Sequence, residues 1–491
     1  MSDACATLAP VTRPVTEMPA APGPAGDTPS LTAADLQAIT GGMLLRRSTR
    51  LVRGAAVDSR LVEPGNLFVA LAGERTDGHQ FLEQAVARGA AALLVARDPG
   101  NAAVLGDVTV LRVVDPLTAL QAVAGAWRAR FDPLVVGITG SVAKTSTKEA
   151  TAAVLATRLV TLRSEGNQNN EIGIPLTVLR LGPEHQAAVL EMGMYVGGEI
   201  ATLAAIGRPS IGIVTAIAPV HLERAGSMQA IVEAKAELVE ALPPDGTAVL
   251  NGDDPAVAAM AGRARGRVLT YGLAPGASVG AEAVLGRGPT GMSFELVARE
   301  PRPARFQVTI PALGRHSVAN ALAAAVVGLL AGLSDEEIAS GLATPWGTAA
   351  GRRSSLVRAG GITVLDDSYN ASPPSMRAAL ELLATLGGRP LAVLGEMLEL
   401  GPLAEAAHRE VGACAAAVVA ELVVVGQGAA AIADGAEAAG LDPARVHRVA
   451  GREEALAVLR RVVREGDVVL VKASRGAALD VLADALIEDR R

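Results

Sequence analysis

The sequence predicts an α/β protein made of three successive units. The first observation is alternation. Short apolar runs at 67–71, 91–95, 134–136, 187–190, 211–214, 248–250, 362–365, 391–394, 422–425 and 468–471 read as buried strands, with helical-period stretches between them. Such alternation predicts parallel sheets with helices on both faces. The second is length: 491 residues suggest about two to four domains. The third is composition. Half the residues are apolar but only 2% are aromatic, so the cores must be built from Ala, Val and Leu.

The bulk numbers also exclude classes. A net charge of -7 argues against a general nucleic-acid binder. Cys5 and Cys414 cannot make a disulfide framework, which fits a reducing cytosol. No apolar run reaches the length of a membrane span, and no basic segment followed by an apolar core marks a signal peptide.

Residues 1–30 are rich in Pro and read as a disordered leader. The first unit, 31–114, opens with a short helix that Thr32 can cap. Its loops carry Asp58, Ser59, Arg60, Asp77 and His79, either binding residues or plain surface turns. The second unit, 115–348, begins with an amphipathic helix over 115–130. It continues as the parallel sheet of strands 134–136, 187–190, 211–214 and 248–250. The third, 349–491, is a further sheet domain with a helix from Ser375.

The stretch Val135-Val-Gly-Ile-Thr-Gly-Ser-Val-Ala-Lys-Thr-Ser-Thr-Lys-Glu149 has the layout that holds a nucleotide phosphate. A buried strand leads through a small-residue loop into a helix start. Loop amides and the helix N-terminus face the anion, Lys144 neutralises it and the Thr145 hydroxyl suits Mg²⁺. An ordinary strand-to-helix turn is the bland alternative. Ala143 stands where such loops usually carry Gly, and the spacing is shorter than GxxxxGK[ST]. Glu191 and His221 follow two of the strands at the same sheet edge. Glu191 is a hard oxygen ligand or a surface carboxylate, and His221 a ligand or a structural residue. Lys235 falls inside the apolar stripe of a helix over 227–242 capped by Ser227. There its amine is either depressed enough to take up CO₂ as a carbamate or snorkels to the edge. Asn320 reads an adenine edge or caps a helix. Asp366 and Asp367 suit ribose hydroxyls, a metal or an ammonium group. Lys472 and Arg475, in a loop before a helix, suit an anion.

These motifs together resemble the Mur ligase family. The matching segments run from Asp58-Ser-Arg60 and Asp77-Gly-His79 through Gly137-Ile-Thr-Gly-Ser141, Lys144-Thr145 and Asn167-Gln-Asn-Asn-Glu-Ile-Gly-Ile-Pro-Leu176. They continue with Leu190-Glu-Met-Gly193, His221-Leu-Glu223, Lys235, Gly314-Arg-His316 and Asn320, and end with Asp366-Asp-Ser-Tyr-Asn-Ala371, Leu394-Gly-Glu-Met-Leu-Glu-Leu-Gly401 and Lys472 to Gly476. The resemblance implies an N-terminal UDP-binding domain, a central P-loop ATPase domain and a C-terminal Rossmann-like domain.

Its closest member implies ATP-dependent joining of D-alanyl-D-alanine to UDP-N-acetylmuramoyl-tripeptide by a cytoplasmic monomer. By the same carry-over, Gly140, Ser141, Ala143, Lys144, Thr145 and Ser146 form the nucleotide loop. Lys144 contacts the β- and γ-phosphates. Thr145 and Glu191 hold one Mg²⁺, and His221 with carbamylated Lys235 supports a second. Asn320 reads adenine, while Arg352 and Asp367 reach the nucleotide from the last domain. Ser59 and Arg60 hold the UDP end, and Asn370, Lys472 and Arg475 the substrates. Two other readings remain at this point: a diaminopimelate- or glutamate-adding ligase of the same superfamily, and a nucleotide-binding protein whose turnover Ala143 impairs.

Overall fold

A computed structural model describes residues 29–73, 76–100, 105–220, 222–346 and 351–490. The expected leader therefore lies almost wholly outside the described residues, and His221 lies outside them too.

The chain forms three sheets in succession. The first has five strands in the order Met43–Arg46, Thr109–Arg112, Ala92–Val95, Leu67–Val69, Ala55–Ala56. Only Met43–Arg46 runs antiparallel to its neighbour. The helix Ala33–Thr40 starts where expected, because Thr32 and Asp35 exchange a reciprocal capping box. Asp115 caps the helix Pro116–Arg128, which leads into the second sheet.

The second sheet has nine strands. From Thr161–Arg163 through Ala187–Glu191, Leu134–Thr139, Ile211–Val214, Thr247–Asn251, Arg267–Gly272 and Val279–Gly286 they pair in parallel. Met292–Ala298 and Ala304–Ile310 then extend the sheet antiparallel, a departure from the all-parallel expectation. The reason is a period-two pattern: Met292, Phe294, Leu296 and Ala298 are buried while the residues between them are half-exposed. The turn before that strand carries Gly288 and Gly291, both at positive φ. Helix Arg315–Leu330 buries nearly its whole surface beneath this sheet, against helix Lys144–Leu155. Ala makes that close approach possible, and each fully buried Val or Leu there contributes about 1.5–3 kcal/mol.

The third sheet runs Ser355–Ala359, Ile362–Asp366, Asp467–Lys472, Arg389–Gly395, Glu421–Val425, Val446–Val449. All pairs are parallel except the first. In parallel sheets ligands gather beyond the C-terminal strand ends. Here the ends of the second and third sheets face each other across one cleft of about 970 Å³, which holds residues of both.

Candidate active site

The cleft floor is the loop after Leu134–Thr139. Gly140 has φ 145°, and a Cβ there would stand 1.9 Å from Thr215 Oγ1. The close approach serves a purpose: Thr215 Oγ1 donates to Val142 O at 2.6 Å, and Ser141 N donates to Ala216 O at 2.7 Å. Ser141 Oγ also donates to Ala218 O at 3.0 Å. The loop is thereby tied to the neighbouring strand end. It enters helix Lys144–Leu155 through Ala143, in the left-handed region at φ 68° and ψ -3°. A side chain there costs about 1–2 kcal/mol relative to Gly. Lys144 Nζ folds back onto Gly140 O at 2.7 Å and Ser141 O at 3.3 Å. Burial lowers its pKa; Glu191 opposes that shift and Arg353 adds to it. Thr145 and Ser146 complete the wall at the helix N-terminus.

Glu191 ends the strand Ala187–Glu191 and is buried. Asn169 Nδ2 donates to its Oε1 at 2.8 Å, and its backbone N–H donates to Ser164 Oγ at 3.2 Å. Its other oxygen, Oε2, is buried with no hydrogen bond. An unmet carboxylate oxygen in the cleft that Thr145 also lines suits a hard cation. Mg²⁺ fits better than a metal needing a full protein cage, because it keeps waters and shares substrate phosphates. Among the described residues no three His, Cys, Asp or Glu side chains stand together as such a cage.

Lys235 lies on the buried face of Met228–Ala241, the helix that Ser227 caps. Burial first, and Lys144 second, push its pKa well down. No hydrogen bond or ion pair holds it among the described residues.

Asn320 lines the cleft, as do Pro289, Pro311 and Trp346, and accepts from Thr147 Oγ1 at 3.3 Å. From the third sheet come Asp367, Asn370 and Lys472. Lys472 Nζ bonds Asp367 Oδ2 at 2.5 Å and Asn370 O at 2.9 Å, and Ser354 N donates to Asp367 Oδ1 at 2.9 Å.

Four expected residues are not brought here. Arg352 turns inward: it donates to Asp366 Oδ2 at 2.9 Å, Asp484 Oδ2 at 2.7 Å and Asp480 O at 3.2 Å. Its neighbour Arg353 lines the cleft instead, stacked 4.2 Å over the Tyr369 ring. Arg475 also lies over that ring, at 5.7 Å, and does not line the cleft. Ser59 donates to Gln84 Oε1 at 2.7 Å, and Arg60 is exposed and paired with Asp58 at 2.6 Å. Both belong to the first domain, Ser59 buried and Arg60 exposed, outside the cleft lining.

Residues 52–128 match the Mur ligase family, catalytic domain, residues 138–328 the Mur ligase middle domain, and residues 352–475 the Mur ligase, glutamate ligase domain. A protein of Mycobacterium tuberculosis named UDP-N-acetylmuramoyl-tripeptide--D-alanyl-D-alanine ligase is 40% identical over 94% of this chain and 98% of its own length. The chain belongs to the Mur ligase family. Relatives of the same name from Bacillus subtilis and Escherichia coli are 37% and 36% identical, over 89% and 94% of this chain and 94% and 99% of their own. Among solved structures, MurF from Acinetobacter baumannii superposes with a TM-score of 0.84 at 30% identity, covering 94% of this chain and 99% of its own. MurF ligase from Thermotoga maritima in complex with ADP gives 0.77 at 27% identity, covering 90% and 99%.

For this Mur ligase, sequence reasoning missed Asn169, Thr147 and Arg353. Asn169 lay within the Asn167-Gln-Asn-Asn motif, whose run of amides was the available signal. Nothing local separates Arg353 from Arg352.

Proposed function

We propose that this Mur ligase uses ATP to join D-alanyl-D-alanine to the tripeptide carboxylate of UDP-N-acetylmuramoyl-tripeptide, releasing ADP and phosphate. The observation that carries the reading is the shared cleft: a phosphate loop with Lys144 on one wall, Asp367, Asn370 and Lys472 on the other. The relatives that cover nearly the whole chain bear the name of this activity.

A peptide carboxylate is a poor electrophile, so its activation by ATP to an acyl phosphate precedes attack by the D-alanyl-D-alanine amine, with phosphate leaving. The chain's part is positioning and charge neutralisation. Loop amides and Lys144 hold the β- and γ-phosphates against the approaching carboxylate. Asn320 orients adenine against the slot of Pro289, Pro311 and Trp346. Glu191 and Thr145 would hold Mg²⁺, and Lys235, as a carbamate, would join His221 at a second ion. Bound Mg²⁺ would offset the negative charge where phosphate meets carboxylate. The third domain, carrying Asp367, Asn370 and Lys472, receives the amine and shields the acyl phosphate from water. The Ser59-Arg60 loop, and Arg352 and Arg475 after rearrangement of the third domain, remain our assignments for the UDP end, the nucleotide and the incoming dipeptide. We place the enzyme in the cytoplasm as a monomer. Among the described residues no helix is long and apolar enough to cross a membrane.

Phosphate release tests the reading. Release should require ATP, the UDP-tripeptide and D-alanyl-D-alanine together. Release with diaminopimelate or glutamate in place of the dipeptide, and none with the dipeptide, would overturn it.

A further inference from the structure

Lys148 sits one turn into the helix behind the phosphate loop and is 0% exposed. Its Nζ donates to Ser164 O at 2.8 Å and Gly166 O at 3.1 Å, and stands 3.0 Å from Glu149 Oε1. Two N–H bonds of the ammonium go to the carbonyls, and its charge is paired with the Glu149 carboxylate. Glu191 Oε2, 3.8 Å away, feels the charge but receives no bond. Arg163 meets the other Glu149 oxygen at 2.9 Å, so Glu149 is satisfied without turning toward Glu191.

The segment that Lys148 grips is also the one that grips Glu191. Ser164 Oγ accepts the Glu191 backbone N–H, and Asn169 Nδ2 donates to Oε1. Helix, loop and strand end thus close into a ring. Lys148 fastens the loop at two carbonyls, and the loop fastens Glu191 at two points. Drawn toward the two carbonyls and Glu149, the ammonium stops 3.8 Å short of Glu191 Oε2 and does not cover it.

We propose that Lys148 is a positioning residue for the divalent cation. By fastening residues 164–166 it keeps Asn169 on one Glu191 oxygen and leaves the other bare for the ion. The inference rests on the reading of Glu191 as a cation ligand. A neutral side chain at 148 would strand the buried Ser164 carbonyl and a Glu149 oxygen, release the Gly166 carbonyl at the exposed end of the loop, and let the loop move to rehydrate them. Arginine spreads its donors over a planar fork and cannot converge them from one nitrogen, so it should serve only in part.

The test is Mn²⁺ binding by electron paramagnetic resonance on the full chain with a non-hydrolysable ATP analogue. Lys148→Met should weaken Mn²⁺ about tenfold or more while changing the analogue's affinity in EDTA by less than about twofold. Amides of 164–170 should exchange faster in the same variant, and Lys148→Arg should fall between. Unchanged Mn²⁺ affinity in a folded Lys148→Met overturns the proposal. If that variant does not fold, Ser164→Ala decides. It removes the acceptor for the Glu191 N–H and should weaken Mn²⁺ less but in the same direction, and no change there overturns the proposal. Absence of bound Mn²⁺ in the unsubstituted protein overturns the cation reading of Glu191 itself, and this inference with it.

Discussion

Two lysines stand at strand-to-helix turns on opposite walls of the cleft, and they are held differently. Lys144 is half-buried, and its hydrogen bonds go to the carbonyls of Gly140 and Ser141. Lys472 is buried and makes a 2.5 Å bond to the Asp367 carboxylate. Carbonyl oxygens orient an ammonium without cancelling its charge, whereas a carboxylate in a low-dielectric site does cancel it. Lys144 therefore keeps a charge to offer a ligand. Lys472 uses its charge to fix Asp367 and the Asn370 turn. In sequence both read as cations awaiting an anion. A segment some hundred residues away in the chain, supplying Asp367, separates them.

Substitution should part them further. The largest effect is expected at Lys144: Lys144→Met should lower kcat about a thousandfold, ~4 kcal/mol of transition-state stabilisation, without lowering the thermal midpoint. Wild-type turnover in that variant would break the comparison. Lys472→Met leaves the Asp367 charge buried and unpaired, and should cost about 3 kcal/mol of stability in urea unfolding. A stable variant with lost dipeptide binding would instead assign Lys472 to the ligand. Lys235 sharpens the contrast as a third lysine, buried with no charged partner among the described residues. Lys235→Ala should lose turnover about a hundredfold and recover part of it with formate or acetate, which can occupy the place of a carbamate. Normal turnover without rescue would remove Lys235 from the mechanism. The smallest effect belongs to Ala143. Ala143→Gly relieves left-handed strain but frees the unfolded chain, for a net gain under about 1 kcal/mol and turnover within about twofold. Equal ATP binding in both proteins, with turnover only in the Gly variant, would favour the non-catalytic reading.

What was legible in the sequence was whatever local periodicity or capping decides. The strands, the Thr32, Asp115 and Ser227 caps and the loop around Lys144 all follow from neighbouring residues. The hairpin of Met292–Ala298 and Ala304–Ile310 shows in the sequence only through the alternation of its first strand. Residues decided by distant partners were not legible. Lys148 lies in a run of helix formers that shows no sign of the carbonyls at Ser164 and Gly166. Arg352 and Arg353 are adjacent and chemically equal. Asp366, Asp480 and Asp484 draw the first inward, and Tyr369 draws the second over the cleft.

One cleft residue also gives the molecule a built-in optical probe. The chain has two tryptophans. Both are buried with a bonded indole N–H, Trp127 beside Phe131 on Leu181 O and Trp346 on Leu342 O, but only Trp346 also lines the cleft. A Trp127→Phe chain would carry a single tryptophan, and that tryptophan would stand in the wall of the cleft expected to take the nucleotide. Nucleotide arrival and departure would then be visible as emission from the unlabelled protein.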